Sequence, residues 1–133
     1  MRCEIRLIGN KKISARMDNF EIITDQFVES GDESSAPSPF DLYLASMGTC
    51  AGHYVNEFCK KRKIPTENIK IFQDVDYDSS KKLISKVSII IHIPGDFPKK
   101  YINGLVNAAE ICTVKRSIQN PPKFEIKVRS QQD

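Results

Sequence analysis

Hydrophobic and polar residues alternate in short runs over the first 24 positions, and turn-forming pairs separate the runs. Cys3 to Ile8, Lys12 to Met17 and Phe20 to Thr24 fit the two-residue period of a strand, with Gly9-Asn10 and Asp18-Asn19 between them. Asp25 to Pro37 (DQFVESGDESSAP) has no such period and is rich in turn formers, which predicts a loop. The pattern then becomes helical. Ser38 is placed to cap a helix, Pro39 takes the first helical position, and Asp41 stands three residues after the cap. This helix is predicted from Ser38 to about Arg62, where Ile64-Pro65 restricts its continuation and basic residues suit its carbonyl end. Alternation returns in Ile69 to Tyr77 and Lys82 to Ile93, joined by Asp78-Ser79-Ser80. Leu83, Ser85, Val87, Ile89, Ile91 and Ile93 are expected on one face of the second of these strands. Phe97 to Ile111 shows helical spacing, and Thr113 to Gln119 predicts a shorter helix. Phe124, Ile126 and Val128 then alternate as a final strand. The resulting order, βββ-α-ββ-αα-β, is an α+β arrangement, and 133 residues suit a single domain, residues 1–133.

The long helix has an unusual surface. Its first two-thirds, SPFDLYLASMGTCAGHYV (Ser38 to Val55), is almost without charge. At about 100° per residue, Met47, His53, Tyr54 and Glu57 share the side of Cys50, while Leu44, Gly48, Ala51, Val55 and Phe58 cover much of the rest. A helix apolar nearly all round is covered by other elements on several sides. A chain this short cannot supply all that cover, which favours a homodimer with the helix near the interface. Cys59 lies nine residues from Cys50, half a turn out of phase, and reads as a packing residue; Cys3 reads the same way.

Composition narrows the chemistry. Hydrophobic residues make up 40% and charged residues 28%, an ordinary globular balance with a mild net charge of +3. The basic clusters Lys60, Lys61, Arg62, Lys63 and Lys99, Lys100 lack regular aromatic interleaving, so they read as solvated helix ends rather than a nucleic-acid surface. The start, MRCEIRLIGNKK, carries charges where a signal peptide has an apolar core, and no run approaches the ~20 apolar residues of a membrane span. The expected location is the cytoplasm, where thiols are kept reduced. Cys50 and His53 stand three apart as two metal ligands could, but no third and fourth ligands follow, so no metal is expected.

Cys50 by itself fits packing, because a free cysteine behaves as a small hydrophobe. Cys112 adds a second possibility. It precedes Thr113-Val114-Lys115-Arg116 at a helix start, where amides and nearby cations are expected to lower its thiol pKa. One sheltered thiol and one in an electropositive setting suit a two-cysteine redox cycle, in which a sulfenic acid on one is condensed by the other.

SPFDLYLASMGTC resembles the helix signature of the OsmC/Ohr family, the osmotically inducible and organic hydroperoxide resistance proteins, and ICTVKRSI resembles the family's second-cysteine segment. The resemblance implies an intertwined homodimer with the thiol sites at the subunit interface. It implies Cys50 as the peroxidatic thiol and Cys112 as the resolving thiol, acting on organic hydroperoxides without a cofactor. A dithiol, either a lipoylated protein or a small thiol, would restore the reduced state. The family's arginine from the early strands falls nearest Arg16. Phe40, Tyr43, Met47 and Tyr54 would line an apolar substrate pocket. Peroxidase members also carry a glutamate ten residues before the first cysteine, where this chain has Phe40; Asp41 beside it points away and is expected to serve the capping box. Glu57, Glu29, Asp32 and Glu33 are the acids that could take the glutamate's place beside Arg16. A non-catalytic dimer that binds a small apolar ligand is the alternative, because Phe40 adds hydrophobic bulk where an acid is expected.

Overall fold

The alternating N-terminal runs form a three-stranded antiparallel sheet in the computed structural model of the chain: β1 (Glu4–Gly9), β2 (Lys12–Met17) and β3 (Phe20–Thr24). The structure describes residues 1–26 and 34–130, which divide into two units, Met1–Met47 and Gly48–Asp133. The two hairpin turns fall at the expected pairs. Gly9, Asn10 and Asp18 have positive φ, a conformation that glycine, asparagine and aspartate tolerate better than other residues. In this register Arg16 lies between Glu4 on β1 and Glu21 on β3. Asp25 closes the loop that follows: its carboxylate accepts from the Ser35 amide at 3.0 Å and the Ser35 hydroxyl at 2.9 Å, and its own amide donates to the Pro37 carbonyl. Glu29, Asp32 and Glu33 lie outside the described residues. Cys3 is exposed just before β1, not packed as expected, because the strand's first paired residue is Glu4.

The long helix is α1 (Pro39–Lys61). Its start is a reciprocal capping box: the Asp41 amide donates to the Ser38 hydroxyl at 3.1 Å, and the Ser38 amide donates to the Asp41 carboxylate at 2.9 Å. A cap of this kind contributes about 1 kcal/mol to a helix. Its end is also determined locally. Lys63 takes a left-handed φ of 56°, the Ile64 amide reaches back to the Cys59 carbonyl at 2.9 Å and the Lys63 amide to Lys60 at 3.2 Å. That is the paired-amide helix stop usually built on glycine, here with Ile64 packed against the core as its hydrophobic partner.

The second unit places α1 on a two-stranded antiparallel sheet, β4 (Lys70–Asp78) and β5 (Leu83–His92). Gly48 and Gly52 let the helix approach: a Cβ on Gly48 would stand 3.1 Å from the Gln73 side chain, and one on Gly52 3.7 Å from Ile71. Asp78 makes the connecting turn by accepting from the Ser80 amide and hydroxyl and the Lys81 amide. The single apolar face expected along β5 is interrupted. A bulge opposite Asp76 leaves Ser85 as the extra residue, its hydroxyl donating to the Asp76 carbonyl at 3.2 Å, and the phase slips so that Leu83 faces solvent at 63% exposure.

The helix expected from Phe97 begins later. Pro98 is extended, so a 3-10 turn (Lys99–Tyr101) precedes α2 (Ile102–Glu110), and Phe97 drops into the core instead. Val55, Cys59, Phe97 and Leu105 are buried together, with Phe58, Ile64, Ile69, Ile71, Ile91, Ile93, Tyr101 and Ala109 against them. Gly104 permits the contact of α2 with α1, because a Cβ there would meet the Phe58 ring at 2.8 Å. The short helix α3 (Thr113–Gln119) follows.

The expected last strand, Phe124–Val128, is not formed: among the described residues no regular element follows α3, and Phe124, Ile126 and Val128 are 87%, 95% and 96% exposed. Alternation makes a segment able to join a sheet, but a strand exists only where a neighbour pairs with it. The α+β class and the order up to α3 otherwise stand as expected. Among the described residues no helix is long and apolar enough to cross a membrane.

Candidate functional site

Two elements of the second unit meet at a pair of thiols. Cys50 lies off the buried Ala51, Val55 and Cys59 stripe of α1, so it is turned away from the core and toward α3. Cys112 is the N-cap of α3, its sulfur accepting from the Lys115 amide at 3.4 Å. The two thiols are hydrogen-bonded to each other. One helical turn beyond Cys50, the Tyr54 hydroxyl and the Thr113 hydroxyl are hydrogen-bonded at 3.0 Å.

Burial pushes the Cys50 thiol up, but the Val114 amide, the Cys112 thiol and the Thr113 amide all stabilise its thiolate and together outweigh that penalty. The Cys50 thiol is therefore held below its ordinary value. Cys112 moves the other way. Burial raises it, the Lys115 amide lowers it in part, and the thiolate character of Cys50 raises it again. The expectation that the start of α3 lowers the Cys112 thiol is corrected by this geometry. The Thr113 and Val114 amides both act on Cys50, while the Lys115 ammonium lies 3.3 Å from the Glu110 carboxylate. Of the two thiols, Cys50 is the more readily ionised. Cys59 is fully buried in the core with its thiol raised by burial, as a packing residue should be.

Of the remaining candidates, Arg16, Phe40, Tyr43 and Met47 belong to the first unit and Glu57 to the second. Arg16 is exposed on β2 in register with Glu4 and Glu21. Glu4 titrates below its ordinary value, first because Arg6 hydrogen-bonds it at 2.9 Å and then because Arg6 and Arg16 are near. Glu4 and Glu21 are thus the acids that strand register sets beside Arg16, and residue spacing does not reveal them. Phe40 and Tyr43 form a tilted aromatic pair 5.7 Å apart at the start of α1, each more than a third exposed, and Met47 is buried. Glu57 is half-buried on α1. The amides of Thr113 and Val114 escaped sequence reasoning because a backbone donor has no side-chain signature. Among the described residues no three His, Cys, Asp or Glu side chains gather as a metal site.

A family model described as OsmC-like protein matches residues 31–127. No curated protein sequence matches the chain. Among solved structures, the chain is similar to a Psychrobacter arcticus 273-4 protein with a suggested role in osmotic stress and detoxification, at 24% identity and a TM-score of 0.69. That match covers 86% of this chain and 85% of the other. An OsmC-like protein from Mycoplasma pneumoniae matches at 12% identity and a TM-score of 0.66, covering 91% and 89%. The organic hydroperoxide resistance protein OhrB of Bacillus subtilis matches at 20% identity and a TM-score of 0.53, covering 90% and 93%.

Proposed function

The chain belongs to the OsmC-like family, and from that premise we propose that it is a cysteine-based peroxidase of organic hydroperoxides. The observation that carries this reading is the Cys50 thiol held below its ordinary value by the Val114 and Thr113 amides and the Cys112 thiol, with a second thiol already in contact. The Cys50 thiolate attacks the distal oxygen of the hydroperoxide; the S–O bond forms, the O–O bond breaks, and the alkoxide leaves to take a proton from solvent. The product is a sulfenic acid on Cys50. The Cys112 sulfur then attacks the Cys50 sulfur, the S–O bond breaks, and the departing hydroxide leaves as water with the Cys112 proton. A dithiol, on a lipoylated protein or free, returns both thiols in a cytoplasmic setting. Arg16, with Glu4 and Glu21 next to it in register, would assist the thiolate, and Phe40, Tyr43, Met47 and Tyr54 would favour bulky apolar peroxides over hydrogen peroxide.

The working unit we propose is a single domain, residues 1–133, assembled as a homodimer. Its support is the apolar surface that one chain leaves uncovered: Leu7 at 87%, Phe20 at 73%, and the Phe124, Ile126 and Val128 series. Light scattering at micromolar concentration should give twice the chain mass, and a monomer there would remove the assembly.

Cumene hydroperoxide consumption with dihydrolipoamide as reductant tests the reaction. A thiol whose folded value is lowered is ionised at lower pH than a free thiol, and its thiolate is lost only as pH falls through that lowered value. The rate should therefore reach half its plateau below the ~8.5 of a free thiol. A half-point at or above ~8.5 counts against Cys50 as the attacking group. The exposed Phe40–Tyr43 pair favours a second reading, an apolar-ligand binder, which prevails if neither the parent nor Phe40→Glu turns over peroxide.

A further inference from the structure

Thr113 faces the thiol site with two of its atoms. Its amide donates to the Cys50 sulfur, and its hydroxyl is 3.0 Å from the Tyr54 hydroxyl. Tyr54 stands four residues after Cys50, hence one turn along the same side of α1. Thr113 directly follows Cys112. Cys50 and Tyr54 on one helix therefore meet Cys112 and Thr113 on the other as two parallel ties, thiol to thiol and hydroxyl to hydroxyl. One tie alone would leave α3 free to pivot about the sulfurs. Two ties fix both its position along α1 and its rotation, and with them the direction of the Thr113 and Val114 amides. The back of Thr113 is held as well, since the Ser117 hydroxyl donates to its carbonyl at 2.8 Å.

We propose that Tyr54 is a positioning residue whose hydroxyl, through Thr113, keeps the first amides of α3 aimed at the Cys50 sulfur. The assignment rests on the reading of Cys50 as the reactive thiol but gives Tyr54 a different task from lining a substrate pocket. What the hydroxyl supplies is orientation, so removing it should leave both helices in place and loosen only the fit of the amides to the sulfur.

The test follows alkylation of Cys50 by iodoacetamide against pH in the full chain, read by mass spectrometry of the Cys50 peptide, with circular dichroism as a check of folding. Tyr54→Phe should shift the alkylation midpoint upward and slow the reaction at pH 7 by about two- to tenfold, the range expected for loss of one side-chain hydrogen bond. Thr113→Val should do the same. The double variant should be no slower than the slower single variant, because both remove one bond. Thr113→Ser, which keeps the hydroxyl, should restore the parental midpoint. An unchanged midpoint in Tyr54→Phe overturns the proposal, as does full additivity in the double variant. Alkylation needs no peroxide, so absence of peroxidase activity in the parent would strike the proposed reaction while leaving this result readable.

Discussion

Cys50→Ser should reduce cumene hydroperoxide consumption to the uncatalysed background, the largest functional effect expected of any single substitution in the chain. Serine keeps the shape of the site but its hydroxyl stays protonated at any working pH, so the amides of Thr113 and Val114 have no anion to hold. Cys112→Ser should fail differently. Cys50 would still consume one equivalent of peroxide and stop as a sulfenic acid, trapped by dimedone and seen by mass spectrometry. Cys3→Ser should leave the rate unchanged, because the two-thiol cycle calls on Cys50 and Cys112 alone and Cys3 is an exposed residue ahead of β1. Consumption above background in Cys50→Ser would take the reaction away from this thiol.

Leu105→Ala should produce the largest loss of stability. Leu105 is among the few fully buried large side chains and sits with Val55, Cys59 and Phe97 at the centre of the second unit's core. Truncation removes its transfer free energy and leaves a cavity, at a cost of about 2–5 kcal/mol. The melting temperature should fall by on the order of 10 °C. Repair by a larger residue at the neighbouring Gly104 is closed off, since a Cβ there would meet the Phe58 ring at 2.8 Å. The Arg62 guanidinium lies over that ring, 3.6 Å from its centroid. A drop of only a degree or two would mean the core closes over the gap.

Features determined by near neighbours in the chain were legible before the structure. The Ser38–Asp41 capping box, the Asp78 turn, the Gly9-Asn10 hairpin and the half-turn separation of Cys50 from Cys59 all depend on residues within a few positions, where spacing and side-chain chemistry suffice. Features that depend on distant neighbours were not. Ser85 shows no sign in sequence that a bulge will turn Leu83 outward. Phe124 to Val128 has the pattern of a strand but pairs with none. The placement of the two candidate thiols against each other fits the sequence, yet their titration order does not. Which sulfur gains the α3 amides is decided by how α1 and α3 pack, and burial then raises the other. Arg16 was recognisable as a candidate, whereas Glu4 and Glu21 beside it come from strand register alone.

The cap of α3 has a further consequence. Sulfur is a poor acceptor, so the Lys115 amide is held more weakly by Cys112 than it would be by a serine or aspartate. A helix of seven residues also gains little from its own propagation and depends on what its first turn touches. Both conditions assign α3 a low opening free energy compared with α2, whose Leu105 is anchored in the core. The second thiol is therefore carried on a segment that can fray without the rest of its unit unfolding. The Cys50–Cys112 contact can thus part and re-form by local opening while Val55, Cys59, Phe97 and Leu105 stay packed.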